Sequence, residues 1–431
     1  MRKFYQQIQW RSLLLAIVML PGLAVGNLSK PVISKDLENL FFASLDFYSK
    51  LQRTHNGLYL DNYAIERDTN GEPVFNDVVS SAAIGVGLIG LCMDHELGRD
   101  PGAELKALET LRTLNGHRDD FKPPREKAGY FRHFFSTNDG SGHSEYSTID
   151  TAIMVVGALF CRNYFDSSDI RKEADQLWNS IDWQAALADP DGKRLYMMFE
   201  DGTSVENSKT QMFNEYYLLA WLIEQHQIQS KGASQILSVD QLPYWEDRDL
   251  KLLSTHPGEA QSSFIIQFPF YMCHSFTKCD LYRDYVAAQA EADRRACEEM
   301  IGESGYWGCG AGRTPRNGYL ASNYKMNPDN VVAPHIIAGF LPVLPEAQDD
   351  LLKFYRDETK LVETEVGKLL PRFSADIPDW KPRRIEAIDY SSMIFGLAAI
   401  HPKLGMDFFS KGTEFTFNRT KTPAILSQIA N

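Results

Sequence analysis

The chain has 431 residues and a formal net charge of −13, with 25 Phe, 19 Tyr and 7 Trp. An acidic balance without any basic run argues against a nucleic-acid partner, and the length suffices for one large domain or two ordinary ones. Aromatic richness suits packing against sugar rings and equally suits an ordinary core, so it decides nothing by itself.

At the N-terminus, Arg2, Lys3 and Arg11 precede an apolar run over 12–20, then Pro21 and Gly22, then the small residues Ala24 and Gly26. This is the pattern of a secretory signal cut after Gly26, which implies a periplasmic or secreted protein. The run is short for a membrane span, and no other segment reads as one. The expected organisation is a signal over 1–26, one helical domain over 27–420 and a tail over 421–431.

The first helical period falls over 36–51, where Leu37, Leu40, Phe41, Leu45, Tyr48 and Leu51 share one face. Residues 80–95 are small and apolar all round, which marks a helix buried on every side. Asp100 and Pro101 read as the cap and first residue of a one-faced helix that ends before Gly116. An aromatic strand-like run ends in His133, Phe134 and Phe135 and is followed by a turn-rich loop over 136–142. Ser147 with Asp150 three residues on is a capping pattern ahead of a second all-round apolar helix. The alternation continues through 168–178 (one-faced), 213–223 (apolar), 282–300 and 345–355 (one-faced) and 388–400 (apolar). Ten to twelve helices, alternately fully buried and one-faced, imply an all-α double ring of helices, an (α/α) toroid.

Six cysteines permit disulfides in an oxidising compartment. Cys92 and Cys161 read as small core residues, and Cys273 and Cys279 lie close enough in sequence to pair, although sequence does not fix connectivity. No zinc-ligand spacing is present, and no metal or cofactor is expected.

In a helical toroid the N-terminal ends of the inner helices surround one mouth. Glu145 and Glu215 each precede such a helix. Two carboxylates flanking a glycosidic bond are what sugar hydrolysis needs, one to give a proton and one to activate water or attack. Asp139 and Asp150 are supporting candidates, although Asp150 reads first as a helix cap. Tyr130, His133, Trp307, Arg313, Tyr319 and Trp380 are candidates to line the cleft. The glycine-rich stretch around Trp307 lacks the Lys and following helix of a phosphate loop, and no nucleophile elbow of the G-x-S-x-G type occurs.

The segment SEYSTIDTAIMVVGALFCRNYF, together with Val79–Gly85 (VSSAAIG), Gly129–Phe134 (GYFRHF), Ile181–Trp183 (IDW), Phe213–Tyr216 (FNEY) and the Trp307-Gly308 pair, resembles the glycoamylase-like domain family. That family includes the endo-β-1,2-glucanases of glycoside hydrolase family 144. The resemblance covers about 36–404. It implies an (α/α)6 barrel, hydrolysis of β-1,2-glucan within the chain with inversion, no cofactor, and functional acids at Glu145 and Glu215. Residues 267–274 (QFPFYMCH) depart from the family's Gly-His-Gln-Tyr-Ser-His-type segment, and Ala387-Ile388-Asp389-Tyr390 stands where its Glu-Asn motif is expected. The partner implied is a β-glucan polysaccharide or oligosaccharide bound by a monomer. The alternatives are a non-catalytic periplasmic glycan-binding protein on the same barrel and a polysaccharide lyase.

Overall fold

The computed structural model describes residues 33–66, 69, 74, 77–189, 194–200, 203–231 and 239–415. The expected signal and C-terminal tail lie outside the described residues. Among these there are 13 α-helices, joined by strands of two to four residues. No helix among them is long and apolar enough to cross a membrane.

Six helices carry apolar side chains on nearly every face: α2 (Ser81–Glu96), α4 (Thr148–Tyr164), α6 (Tyr217–Lys231, through its first two turns), α7 (Phe264–Met272), α10 (Pro334–Gly339) and α12 (Ala387–Ile400). They pack in succession, α2 on α4, α4 on α6, α6 on α7, α7 on α10, α10 on α12 and α12 on α2. Most of the others bury one face against this set: α1 (Lys35–Asp46), α3 (Ala103–Leu114), α5 (Ser168–Asn179), α9 (Asp280–Ile301) and α11 (Ala347–Tyr355). In α5, for example, Ile170, Ala174, Leu177 and Trp178 point inward while the rest of the helix is polar. The alternation of apolar and one-faced periods in the sequence corresponds to this division.

The helices α2 and α4 pack very closely, and glycine makes the approach possible. A methyl added to Gly157 would stand 2.6 Å from the Gly85 Cα, and one added to Gly85 would stand 2.9 Å from the Met154 Cα. At the far end, α8 (His274–Thr277) and α13 (Gly405–Gly412) complete the helices. α13 lies under the C-terminal ends of α4 and α7: Asn163 Nδ2 donates to Gly412 O at 3.0 Å, and the Tyr271 and Phe409 rings are 4.9 Å apart. That end is filled, so the opposite end holds the open mouth.

Three sequence expectations need correction. The Asp100 carboxylate accepts from Gly102 N at 2.9 Å, which shapes a turn, and α3 starts only at Ala103. Asn214 likewise builds a turn, its Oδ1 accepting from Tyr216 N at 3.0 Å, so α6 starts at Tyr217 rather than Phe213. The disulfide joins Cys297 to Cys309, and Cys273 and Cys279 are free. The pairing follows from Asp293 on α9, one turn before Cys297. Its buried carboxylate accepts from Cys309 N at 2.9 Å and draws that loop onto the helix.

The glycine contact gives a direct test. Gly157→Ala should lower stability by about 1–3 kcal/mol through overpacking. Gly90→Ala, in the same helix pair but with open space around its Cβ, should raise it by up to about 1 kcal/mol. Urea denaturation followed by tryptophan fluorescence separates the two, and equal midpoints would contradict the packing described.

Candidate active site

The open mouth is laced by backbone hydrogen bonds between the short segments that enter the inner helices. Ala387 N donates to Asp61 O at 2.7 Å, Asp61 N to Val78 O at 2.8 Å and Ser81 N to His133 O at 3.1 Å. His133 N donates to Glu145 O at 2.9 Å, Ser147 N to Phe131 O at 3.0 Å and Thr148 N to Met197 O at 3.1 Å. Antiparallel pairing of Asn62 with Glu386 and of Ser80 with Phe134 extends the lattice. These segments need partners because a buried backbone N–H or C=O without one is costly. In finding them they fix the positions of Asp61, His133, Glu145 and Glu386.

One half of the mouth gathers around His133. Its Nδ1 lies 2.9 Å from Glu145 Oε1 and its Nε2 lies 3.6 Å from Asp150 Oδ1. Burial alone would push the imidazole down, but Asp150, then Glu145 and Asp61, lift it from 6.5 to about 9. The His133 contact holds the Glu145 carboxyl below its ordinary value against a smaller effect of burial. Ser147 is the N-cap in the expected pattern with Asp150: its Oγ accepts from Asp150 N at 3.2 Å, and its hydroxyl turns back onto the Asp150 carboxylate.

Glu215 stands in the turn before α6 and behaves in the opposite way. Burial, followed by the nearby negative charge of Asp150, raises its carboxyl to about 7, against a lesser pull from His133. A helix N-terminus favours a carboxylate by about 0.3–1 kcal/mol. Moving a carboxyl from 4.5 to about 7 takes about 3 kcal/mol, so desolvation outweighs the helix. Below pH 7 the site therefore holds a mostly protonated acid at Glu215 beside an ionised carboxylate at Glu145. Beside Glu145 opens a polar cleft of about 230 Å³, lined by Arg132, His143, Ser144, Tyr146, Phe199 and Glu200.

The other half was not read from the sequence, apart from Arg313 and Tyr319. Arg313 Nε pairs with Glu386 Oε1 at 3.3 Å, and the Tyr319 hydroxyl donates to Asp389 Oδ1 at 3.0 Å. Both come from the hairpin formed by Ala311–Thr314 and Gly318–Ala321. Beneath it the buried Arg372 donates to Gly310 O at 3.1 Å. Gly312, at φ +136°, lets the hairpin backbone lie directly on that side chain, where an added methyl would stand 2.9 Å from the Arg372 Cδ. Burial, and then the charge of Glu386, push Asp389 up to about 8 although Arg372 opposes them. His335, fully buried beside the Arg372 cation, is held neutral by desolvation. Asp61 joins the halves: it feels His133 and Asp150 on one side and Arg313 on the other.

The structure thus brings together Glu145, Glu215, Asp150, His133, Arg313 and Tyr319, and separates others from them. Asp139 is exposed in its turn, where its Oδ1 accepts from Ser141 N at 2.9 Å. Trp307 is fully buried, stacked on Phe340 with its indole N–H on Asp350 at 2.9 Å, so it belongs to the core. Tyr130 is also core, stacked 5.1 Å from Phe199 and edge-on to Trp183. Both correct the expectation of cleft aromatics, because a large ring next to a glycine-rich turn fills space under the turn as readily as above it. Trp380 is half-buried in its loop, with its backbone N on Ile377 O at 3.0 Å. A sequence signal for Glu386 was available: it directly precedes an all-round apolar helix, much as Glu145 and Glu215 stand two or three residues ahead of theirs.

The sequence matches no family model and no curated protein. Among solved structures, an endo-β-1,2-glucanase from Chitinophaga pinensis, in complex with sophorotriose and glucose, superposes with a TM-score of 0.69. It does so over 88% of this chain and 95% of its own, at 16% identity. The chain has the fold of that glucanase. A β-1,2-glucanase from Parabacteroides distasonis matches at 0.67 and 17% identity, over 88% of this chain and 60% of its own. An endo-β-1,2-glucanase from Talaromyces funiculosus, solved with sophorose, matches at 0.60 and 11% identity, over 87% and 85%. The resemblance to the endo-β-1,2-glucanases seen in short motifs holds at the level of the whole fold.

The His133 contacts carry a pH signature. An imidazole lifted from 6.5 to about 9 contributes stability that is complete below 6.5 and lost as pH rises through 9. The lowered Glu145 carboxyl contributes only above its unfolded value of 4.5. The stability lost in His133→Gln should therefore be largest between these values, near pH 5–6, and disappear above pH 9. Urea denaturation across that range checks it, and a loss independent of pH would contradict the ion pairing.

Proposed function

We propose that the chain is a glycoside hydrolase that cleaves β-glucan, acting within β-1,2-linked chains with inversion at the anomeric carbon. The six inner helices close as the inner ring of an (α/α)6 barrel, and the glucan lies across its mouth. The observation that carries this reading is the division of protonation states between Glu215 and Glu145, on the fold of solved β-1,2-glucanases. A hydrolase needs an acid that still holds its proton at working pH and a carboxylate that does not.

In this reading the Glu215 carboxyl gives its proton to the glycosidic oxygen as the C–O bond breaks. Water adds to the anomeric carbon from the opposite face and passes a proton to a carboxylate of the mouth, with Glu145 as the candidate. His133 keeps Glu145 ionised and in place, and Asp150 holds His133. Arg313 and Tyr319, on the facing hairpin, contact the sugar. Export through the signal at 1–26 brings the enzyme to extracellular or periplasmic glucan.

Purified protein incubated with linear β-1,2-glucan should release short oligosaccharides, resolved by chromatography. Glu215→Gln should lower kcat by about 10²–10⁴-fold, with Glu145→Gln also strongly impaired. Wild-type kcat should fall as pH rises through about 7, where Glu215 loses its proton. Cleavage of β-1,3- or β-1,4-glucan alone would remove the linkage, and binding without cleavage of any glucan would remove the hydrolase.

A further inference from the structure

Asp61 lies between the two halves of the mouth and has no role in the chemistry described above. Its backbone is fixed on both sides, N–H to Val78 O at 2.8 Å and C=O from Ala387 N at 2.7 Å. It is thus tied both to the strand entering α2 and to the first residue of α12. Its side chain is half-buried, and one oxygen, Oδ2, accepts from Asn62 Nδ2 at 2.8 Å. Among the described residues no donor reaches Oδ1. Among the described residues no Lys or Arg pairs with the carboxylate, although His133 and Arg313 both act on it.

A carboxylate with a fixed backbone, one committed oxygen and one open oxygen is a pre-organised acceptor. What it lacks is a donor that carries no large desolvation cost of its own. A sugar hydroxyl meets that need: it is neutral, small and presented on a rigid ring, and a charge-assisted hydrogen bond to it is stronger than a neutral one. Any glucosyl unit that reaches from Glu145 and Glu215 on one side to Arg313 and Tyr319 on the other has to pass Asp61. Buried Arg372, whose Nε and Nη1 have no partner, and the unpartnered Asp389 Oδ2 add further polar atoms on the far side.

We infer that Asp61 is a substrate-contacting residue whose carboxylate accepts a hydroxyl of the glucosyl unit spanning the two halves of the cleft. It fixes that sugar against the acid without itself exchanging a proton. This inference rests on the β-glucan reading above and extends it to a residue that decides which sugar, and in what orientation, is held.

The test uses Glu215→Gln, which leaves substrate intact, and compares it with Glu215→Gln/Asp61→Asn and Glu215→Gln/Asp61→Glu by calorimetry with a β-1,2-linked gluco-oligosaccharide. Asn keeps the size of the side chain and removes the charge; Glu keeps the charge and displaces it. Both should bind at least about tenfold more weakly, with melting temperatures within about 2 °C of the parent in the absence of sugar. In the Glu215-intact enzyme, Asp61→Asn should raise KM while the pH at which kcat declines stays where it was. Parent-like affinity in both double variants overturns the assignment, and so does weaker binding that appears only with a lowered melting temperature. If Glu215→Gln alone binds no β-glucan, the functional reading fails and takes this inference with it.

Discussion

The mouth of this protein depends on a sequence of backbone hydrogen bonds that runs from Ala387 through Asp61, Val78, Ser81, His133, Glu145 and Ser147. The strands involved are two or three residues long, too short to be stable sheets alone. They persist because Val78–Ser80, Tyr146–Ser147 and Arg384–Glu386 lead straight into helices buried on all sides, whose N-terminal amides and flanking carbonyls would otherwise lack partners. The helices hold the strands in place and the strands fix the directions of the side chains. A carboxylate on such a segment keeps its position without packing tightly around its head, so it can face solvent and ligand while remaining fixed.

Electrostatics then distinguish acids that the backbone places similarly. Glu145 meets an imidazolium and stays ionised, whereas Glu215 meets burial and the charge of Asp150 and keeps its proton. On the opposite wall, Glu386 and Asp389 compete for the cations Arg313 and Arg372, and Asp389 is pushed toward its neutral form. At Glu215 burial is the larger cause of the retained proton, and the neighbouring charge of Asp150 adds to it. This protonation pattern, rather than the fold, is what points toward acid-assisted cleavage of a glycosidic bond.

Much of the helical framework was legible in the sequence because burial leaves a direct trace there. A helix enclosed on every side carries apolar residues on nearly every face, as in α2, α4 and α12, while α1 and α5 show the one-sided period of a helix facing solvent. The Ser147–Asp150 cap was legible for a similar reason, since it is a local interaction at fixed spacing. What sequence did not reveal depends on distant contacts. Whether Trp307 and Tyr130 face a cleft or a core depends on Phe340, Phe199 and Trp183, which lie far along the chain. Asp61 is placed by Val78 and by Ala387, and nothing around Asp61 in the sequence announces the second of these. The Cys297–Cys309 bond was hidden likewise, because it depends on Asp293 drawing in a loop more than a dozen residues ahead.

The central claim is that a β-glucan lies across this mouth with its scissile bond between Glu145 and Glu215. The most direct measurement is a crystal structure of the Glu215→Gln protein soaked with a β-1,2-linked gluco-oligosaccharide. The account requires sugar density across the mouth, with the residue at 215 against a glycosidic oxygen and the facing hairpin of Arg313 and Tyr319 on the same chain of sugars. Density confined to another surface, or a sugar in the mouth whose glycosidic oxygens all lie out of reach of residue 215, would contradict it.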